Sequence, residues 1–199
     1  MEKYKNKYRI KSHRMPNWDY STNGAYFLTI VTQHRVCNLG EIVVNTHSRA
    51  YQQQPQIQLS DYGKIVETEF LKSFEIRDEL FLSDYMIIPN HIHMIIVLKK
   101  TDIGDITTVD RTNTQSCVST IRQPKSISSF FAGFKSAVNS KIDDYIDENN
   151  LDIPKYNKNN HFFQPNYHDH IIRNQNEYKR ISNYIKNNPA KWIDDTFNK

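Results

Sequence analysis

The chain has 199 residues, of which 38% are hydrophobic, and its formal net charge is +4. This length suits a single domain with a real core, and no apolar run reaches the roughly 18 residues that a membrane span needs. The two cysteines, Cys37 and Cys117, form no Cys-x-x-Cys pattern, which argues against a disulfide framework or a cysteine zinc site. Because the N-terminus also lacks the apolar stretch of a signal peptide, we expect a cytoplasmic protein with no membrane partner.

Residues 1–20 are predicted to form a basic arm ahead of a single domain over residues 21–199. Residues 1–14 carry a net charge of +5, so the rest of the chain sums to −1. Such an arm suits contacts with phosphates, although most basic tails are only solvated. The basic residues of the arm are Lys3, Lys5, Lys7, Arg9, Lys11 and Arg14.

In the first half of the domain, β-branched and aromatic residues predict a strand over residues 25–32, after an Asn-Gly turn signal. Residues 36–58 are rich in glutamine and contain Pro55, which is typical of an irregular excursion. Apolar residues at helical spacing then predict a helix over residues 64–74. Two more strand-like runs, 79–88 and 91–98, are separated by Pro-Asn, a dipeptide that a continuous central strand would resist.

The second half begins with a polar insertion at about residues 101–127, which has no sustained apolar period. Helical spacing resumes over 128–146, a loop and a short strand follow within 162–173, and a last helix over 176–188 is stopped by Pro189. This order predicts an α+β fold, a ferredoxin-like or RRM-like sandwich with a mostly antiparallel sheet and helices on one face.

Two histidines, His91 and His93, interrupt the most apolar run of the chain. Residues i and i+2 of a strand share one face, so the two imidazoles become neighbours. Paired imidazoles suit a divalent metal, whereas the structural alternative is a pair of neutral, hydrogen-bonded core histidines. Both interpretations remain open at this level.

On the last helix, Tyr184 and Asn188 are four residues apart and therefore share a helical face. The structural alternative is an ordinary helix end, with the tyrosine packed on the sheet and the asparagine as a cap. If this helix docks on the strand that carries His91 and His93, the same pair offers a nucleophile and an oxygen ligand for a metal.

Four segments together resemble the REP-associated tyrosine transposases, which belong to the single-tyrosine HUH transposases. The resemblance covers about residues 20–192, and its specificity comes from the order of the motifs. The segments read YFLT at residues 26–29, PNHIHMI at 89–95, FQPNYHDHIIR at 163–173 and YIKNNPAKW at 184–192.

The resemblance implies a metal-dependent enzyme that cleaves and rejoins single-stranded or hairpin DNA through a 5′-phosphotyrosine intermediate. Tyr184 is then the nucleophile, and His91, His93 and Asn188 are ligands of Mg²⁺ or Mn²⁺. Many insertion-sequence relatives have Gln where Asn188 stands, and the insertion at 101–127 also departs from compact relatives. The resemblance leaves open a monomer or a homodimer, and it makes the basic arm a candidate reader of the hairpin.

A second His-x-His pair, His168 and His170, is followed by Arg173. We interpret His170 and Arg173 as DNA contacts or structural residues, because a site with four histidines would leave little open coordination for a phosphate. Two other functions remain as alternatives to a transposase. One is a nickase of the replication-initiator or relaxase kind, and the other is a catalytically silent nucleic-acid-binding module of the same fold.

Overall fold

The computed structural model describes residues 18–44, 55–100, 124–157, 159–195 and 197–198, together with the backbone of two short paired strands near the N-terminus, β1 (Lys3–Tyr4) and β2 (Lys7–Tyr8). Most of the predicted arm and of the predicted insertion therefore lies outside the described residues. No helix in the described part of the chain is both long and apolar enough to cross a membrane.

The centre of the fold is a four-stranded antiparallel sheet with the strand order β6-β7-β3-β8. Its strands are β3 (Gly24–Val31), β6 (Leu80–Ile88), β7 (His91–Leu98) and β8 (His168–Ile172). Helix α1 (Asp61–Glu75) connects β3 to β6, and helix α2 (Ile127–Glu148) precedes β8. This order of strands and helices is the ferredoxin-like arrangement, so the predicted fold class is confirmed.

Helices α1 and α2 cover one face of the sheet, while the last helix, α3 (Gln175–Lys186), covers part of the other. The division follows the strand period of two. On β7, alternate residues from Ile92 to Leu98 pack in the large core under α1 and α2, whereas Ile95 packs under α3. His91 and His93 share the α3 face with Ile95, as their spacing predicts.

The structure differs from the sequence-based prediction in the segment 36–58 and at the boundaries of the arm and of the insertion. The segment expected to be irregular contains an antiparallel pair, β4 (Gly40–Val43) and β5 (Gln56–Leu59). These strands are four residues long and only partly buried, so they leave a weak apolar signal. Tyr20, which the prediction assigned to the arm, lies in the core, and Ile127, assigned to the insertion, already begins α2.

Candidate metal and tyrosine site

The two imidazoles of β7 lie next to each other at the start of this strand. His91 directly follows the Pro89-Asn90 turn that joins β6 to β7, and His93 lies two residues further along the same face. Their side chains are 0% and 2% exposed, and the two Nε2 atoms lie 3.1 Å apart. Two buried ring nitrogens therefore converge on one point.

Asn90 sets the protonation pattern of His91. The amide nitrogen of Asn90 donates to the carbonyls of Arg35, at 3.1 Å, and Phe197, at 2.7 Å. The amide oxygen lies 2.8 Å from Nδ1 of His91, so that ring nitrogen must donate to it. As a result, Nε2 of neutral His91 carries a lone pair, which is the form that binds a metal.

Thr29, on the neighbouring strand β3, supports His93 in the same way. It is the cross-strand partner of His93, and its hydroxyl lies 2.7 Å from Nδ1 of that ring. A hydroxyl can either accept from Nδ1 or donate to it. When it accepts, Nε2 of His93 also carries a lone pair. The lone pairs of the two Nε2 atoms then face and repel each other, and a cation bound between them would remove this repulsion.

Burial keeps both imidazoles neutral. It lowers the pKa of His91 to about 4, against an opposing effect of the nearby Asp195 carboxylate. Burial also lowers the pKa of His93 well below its usual value, and the neighbouring His91 and His168 add to this effect. Neutral imidazoles are the metal-binding form, so no proton has to be displaced at neutral pH before a metal binds.

Tyr184 of α3 brings a phenol to the same point. Its hydroxyl lies 3.1 Å from Nε2 of His93, and its ring meets Phe27 edge-on at a centroid distance of 6.0 Å. The side chain is 38% exposed, so the hydroxyl combines contact with the buried imidazole and access from solvent. Burial and then the charge of Asp195 raise the pKa of the Tyr184 phenol, while a hydrogen bond with Asn188 partly opposes them.

Helix α3 holds this tyrosine in place through one apolar and one polar contact with the sheet. Ile181 and Ile185 pack against Ile95 of β7. On the polar side, Asp84 of β6 accepts a hydrogen bond from the Tyr178 hydroxyl at 3.1 Å and pairs with Lys186 at 3.1 Å. The two contacts fix both the distance and the rotation of the helix.

Asn188 lies just beyond the end of α3, in the turn before the 3₁₀ helix Pro189–Asp194. It is 1% exposed, and its Oδ1 atom is buried and makes no hydrogen bond with any residue that the structure describes. Its amide nitrogen lies 3.5 Å from a carboxylate oxygen of Asp195. A buried amide oxygen without a donor is costly, and a cation would satisfy it.

Asp195 completes the cluster. His91, His93 and Asp195 each offer a ligand atom, and these atoms all lie within 4.8 Å of one another. This is a group that can bind a metal ion. Asp195 is 8% exposed, and the backbone N–H of Phe197 donates to its other carboxylate oxygen at 2.7 Å.

The donor set fits a divalent cation that accepts both nitrogen and oxygen ligands. Two ligands at right angles, each about 2.1 Å from an ion, are about 3.0 Å apart, and the two Nε2 atoms are separated by 3.1 Å. The carboxylate of Asp195 supplies the negative charge that the two neutral imidazoles lack. The side chain of Asn188 reaches this carboxylate through its amide nitrogen, at 3.5 Å, and its amide oxygen is unsatisfied by the described residues.

Asp195 was not predicted from the sequence, because it follows a proline-terminated helix at no periodic spacing. His168 was not predicted to be a ligand, and the structure places its ring centroid 5.5 Å from that of Phe197, whose ring centroid in turn lies 4.9 Å from that of His91. The strand register explains this neighbourhood, since Thr29 pairs with His93 on one side and with His168 on the other.

The remaining predicted contacts lie away from the cluster. His170 of β8 is hydrogen-bonded to Glu177 at 2.7 Å, and the same carboxylate accepts the backbone N–H of Arg173 at 2.9 Å. Both interactions tie β8 to the first turn of α3. For the arm, the structure describes only the backbone of residues 3–4 and 7–8, so its predicted DNA contacts lie outside the described side chains.

Comparison with known proteins gives matches of low sequence identity. The sequence matches no known family model. It is 27% identical over 193 residues to an uncharacterised protein of Haemophilus influenzae, covering 93% of this chain and 91% of that protein. Among solved structures, the chain is similar to a REP-associated tyrosine transposase bound to a REP hairpin, with a TM-score of 0.48, 18% identity, and coverage of 96% of this chain and 74% of the other.

A second similar structure is a candidate transposase from Deinococcus radiodurans R1. It has a TM-score of 0.36 and 13% identity, and the match covers 87% of this chain and 95% of that chain.

Proposed function

We propose that the chain is a metal-dependent enzyme that cleaves and rejoins single-stranded or hairpin DNA through a covalent bond to Tyr184. One observation carries the proposal: the Tyr184 hydroxyl lies 3.1 Å from Nε2 of His93, within a buried cluster of metal-ligand atoms. A packing tyrosine needs no such cluster, and a structural metal site needs no partly exposed phenol beside it.

In this site His91, His93 and Asp195 hold a divalent cation, Mg²⁺ or Mn²⁺, with Asn188 as a further oxygen ligand. The bound cation supplies Lewis-acid polarisation of the scissile phosphate. The outer residues have separate tasks: Asn90 and Thr29 fix the two rings, and the Asn188 side chain reaches both the phenol and the carboxylate.

Tyr184 acts as the nucleophile. Its phenolic oxygen forms a bond to phosphorus, and the bond from phosphorus to the 3′ oxygen of the preceding nucleotide breaks. The phenol loses a proton and the departing 3′ hydroxyl gains one, so the step is balanced and leaves a 5′-phosphotyrosine. Because the phosphodiester is exchanged and not hydrolysed, a 3′ hydroxyl can reverse the step and rejoin strands without ATP.

The position of Tyr184 favours a flexible strand over a duplex. The Tyr184 hydroxyl contacts the His93 ring, and His93 is 2% exposed. A phosphate must therefore approach the face of the sheet closely to reach this hydroxyl. Single strands bend into such sites more easily than duplex backbone does. The basic arm, with Lys3 to Arg14, supplies positive charge that suits DNA phosphates.

The test is the formation of a covalent adduct with labelled hairpin and single-stranded oligonucleotides in the presence of Mn²⁺. We expect the wild-type chain to shift the label on a denaturing gel, and EDTA to abolish the shift. Tyr184→Phe should lose the adduct while it retains DNA binding. Tyr145→Phe, at a tyrosine of α2 on the opposite face of the sheet, is the matched control and should form the adduct normally.

Two results would contradict the proposal. Undiminished adduct in Tyr184→Phe would remove Tyr184 as the nucleophile. Tight DNA binding with no adduct under any metal condition would favour a catalytically silent binding module that keeps the histidines as a structural site. A nickase of the relaxase kind would form the same adduct but would not join the cleaved strand to a second strand.

A further inference from the structure

A cleft of about 430 Å³, lined mostly by polar residues, opens beside the metal and tyrosine site, between the end of β3 and the start of β8. A volume in this range holds a ligand of roughly nucleotide size. Its lining includes Gln33, His34, Arg35, Gln164, Asn166 and His168.

The two walls of the cleft are joined by backbone hydrogen bonds. The N–H of Gln33 donates to the carbonyl of Phe162 at 2.8 Å, and the N–H of Gln164 donates to the carbonyl of Val31 at 2.9 Å. One wall contains two consecutive non-glycine residues in the left-handed region, His34 with φ 56° and Arg35 with φ 58°. Such backbone strain persists only where the surrounding contacts enforce it, and it is concentrated at functional sites.

The chemistry of the lining matches a nucleobase. Three side-chain amides offer hydrogen-bond donors and acceptors together, as the edges of bases require. None of the described residues that line the cleft is acidic, so this lining does not repel a polyanion, and Arg35 adds one positive charge. Within the described residues, Oε1 of Gln33 is buried without a hydrogen-bond donor, which leaves an acceptor to be satisfied.

Phe197 links two residues of the cleft lining to the metal site. On one side, the ring centroid of Phe197 lies 4.9 Å from that of His91. On the other side, it lies 5.5 Å from the ring centroid of His168 and 5.6 Å from Cζ of the Arg35 guanidinium. The carbonyl of Arg35 is one of the two acceptors that orient Asn90. A strand whose phosphate reaches Tyr184 therefore has its next base close to the cleft.

We propose that this cleft binds one unpaired nucleobase of the DNA strand, adjacent to the phosphate that Tyr184 attacks, and so selects the cleavage sequence. The inference rests on the proposed function, because it takes single-stranded DNA as the ligand. An isolated phosphate is a poorer occupant, since the amide oxygens of the lining would face its negative charge.

The test is a selection on binding, using the Tyr184→Phe chain and single-stranded 30-mers with a randomised central block. We expect one or two adjacent positions to show a base preference of about fivefold, the ratio that one hydrogen bond of average strength supplies. Adding His34→Ala and Asn166→Ala should flatten the preference at those positions. Gln175→Ala, at an exposed glutamine of α3, is the matched control and should leave it intact.

A second variant tests whether the alanine substitutions act indirectly, through a change in the structure of the cleft. Asn166 is exposed, so Asn166→Trp can be tolerated by the fold while its ring fills the cleft, and the same preference should disappear. A preference that survives in both variants would overturn the assignment, as would the absence of any base preference in the parent chain.

The two proposals fail in different ways. If the wild-type chain forms adducts but the cleft variants keep the base preference, the cleavage chemistry stands and the cleft assignment is wrong. If the cleft variants lose the preference but the wild-type chain forms no adduct on the enriched oligonucleotides, the cleft binds a base and the cleavage chemistry is wrong.

Discussion

Asn90 accepts a hydrogen bond from Nδ1 of His91 at 2.8 Å, and this contact decides which nitrogen of the ring faces the cluster. The orientation of the amide is not ambiguous, because its nitrogen donates to two backbone carbonyls. A buried histidine that is merely structural could use either nitrogen. Here the backbone carbonyls select the amide orientation, the amide selects the tautomer, and the tautomer leaves Nε2 available for a metal.

Replacement of Asn90 by Ala should therefore weaken Mn²⁺ binding about 10- to 100-fold, the range found when an outer hydrogen-bond partner of a metal ligand is removed. Isothermal titration with Mn²⁺ measures the affinity, and circular dichroism of the same sample establishes that the variant is folded. Asn149→Ala, at an exposed asparagine after α2, is the matched control. Equal affinity in wild type and Asn90→Ala would show that the tautomer of His91 does not depend on this amide.

The polar contact between α3 and β6 predicts that substitution of Asp84 lowers the free energy of unfolding more than substitution of Lys186 does. Asp84→Ala leaves the Tyr178 hydroxyl and the Lys186 ammonium without their shared acceptor, and we expect a loss of about 1–3 kcal/mol in the free energy of unfolding. Lys186→Ala removes only the exposed end of the ion pair and should cost less than about 1 kcal/mol. Urea denaturation of both variants measures the difference, and equal losses would show that Tyr178 does not contribute.

Glu177 gives the tie between β8 and α3 a dependence on pH. The backbone N–H of Arg173, and then the side chain of His170, lower the pKa of this carboxyl below its usual value of 4.5. The unfolded state therefore binds its proton first as the pH falls. The stabilisation is fully present above the unfolded pKa and is lost as the pH falls through the folded pKa.

The comparison that checks this effect is the difference in Tm between wild type and Glu177→Gln. We expect wild type to be the more stable at neutral pH, and the difference to shrink on acidification below about pH 4.5. Glu75→Gln, at an exposed glutamate of α1, is the matched control. A difference that grows on acidification would have the opposite sign and would exclude a lowered pKa.

How much of the site the sequence predicts depends on the range of each contact. The alternation of His91 to Leu98 is enough to place both imidazoles opposite the apolar core, because strand period is a local property. The spacing of Tyr184 and Asn188 likewise predicts a shared direction, although α3 itself ends at Lys186 and Asn188 belongs to the following turn. The motif resemblance adds the expectation that these two elements meet.

Asp195 and His168 required the three-dimensional structure. Asp195 reaches the cluster only because the 3₁₀ helix after Pro189 turns the chain back towards β7, and no periodicity in the sequence reports such a turn. His168 depends on the register of β8 against β3, which sets Thr29 opposite it. This pairing joins two segments that are far apart in the sequence, and a shift of one residue in the register would turn the side chain of His168 to the other face of the sheet.

The last prediction concerns Asp195, the member of the His91, His93 and Asp195 cluster that the sequence did not predict. A site that binds only the folded state stabilises it by about 2.7 kcal/mol when the cation is at 100 times its dissociation constant. For a domain of this size that corresponds to a rise in Tm of roughly 5–10 °C. We expect Mn²⁺ to give such a rise and EDTA to reverse it. Mg²⁺ should give a smaller rise at equal concentration, because two of the donors are imidazoles.

Asp195→Asn keeps the shape of the side chain but removes the charge, so the Mn²⁺-dependent rise in Tm should fall to less than about half. The double variant His91→Ala/His93→Ala should show none. Asp152→Asn, at an exposed aspartate outside the site, is the matched control and should respond as wild type does. A full response in Asp195→Asn would leave the two imidazoles and Asn188 as the ligands, and a full response in the double variant would place the cation elsewhere in the protein.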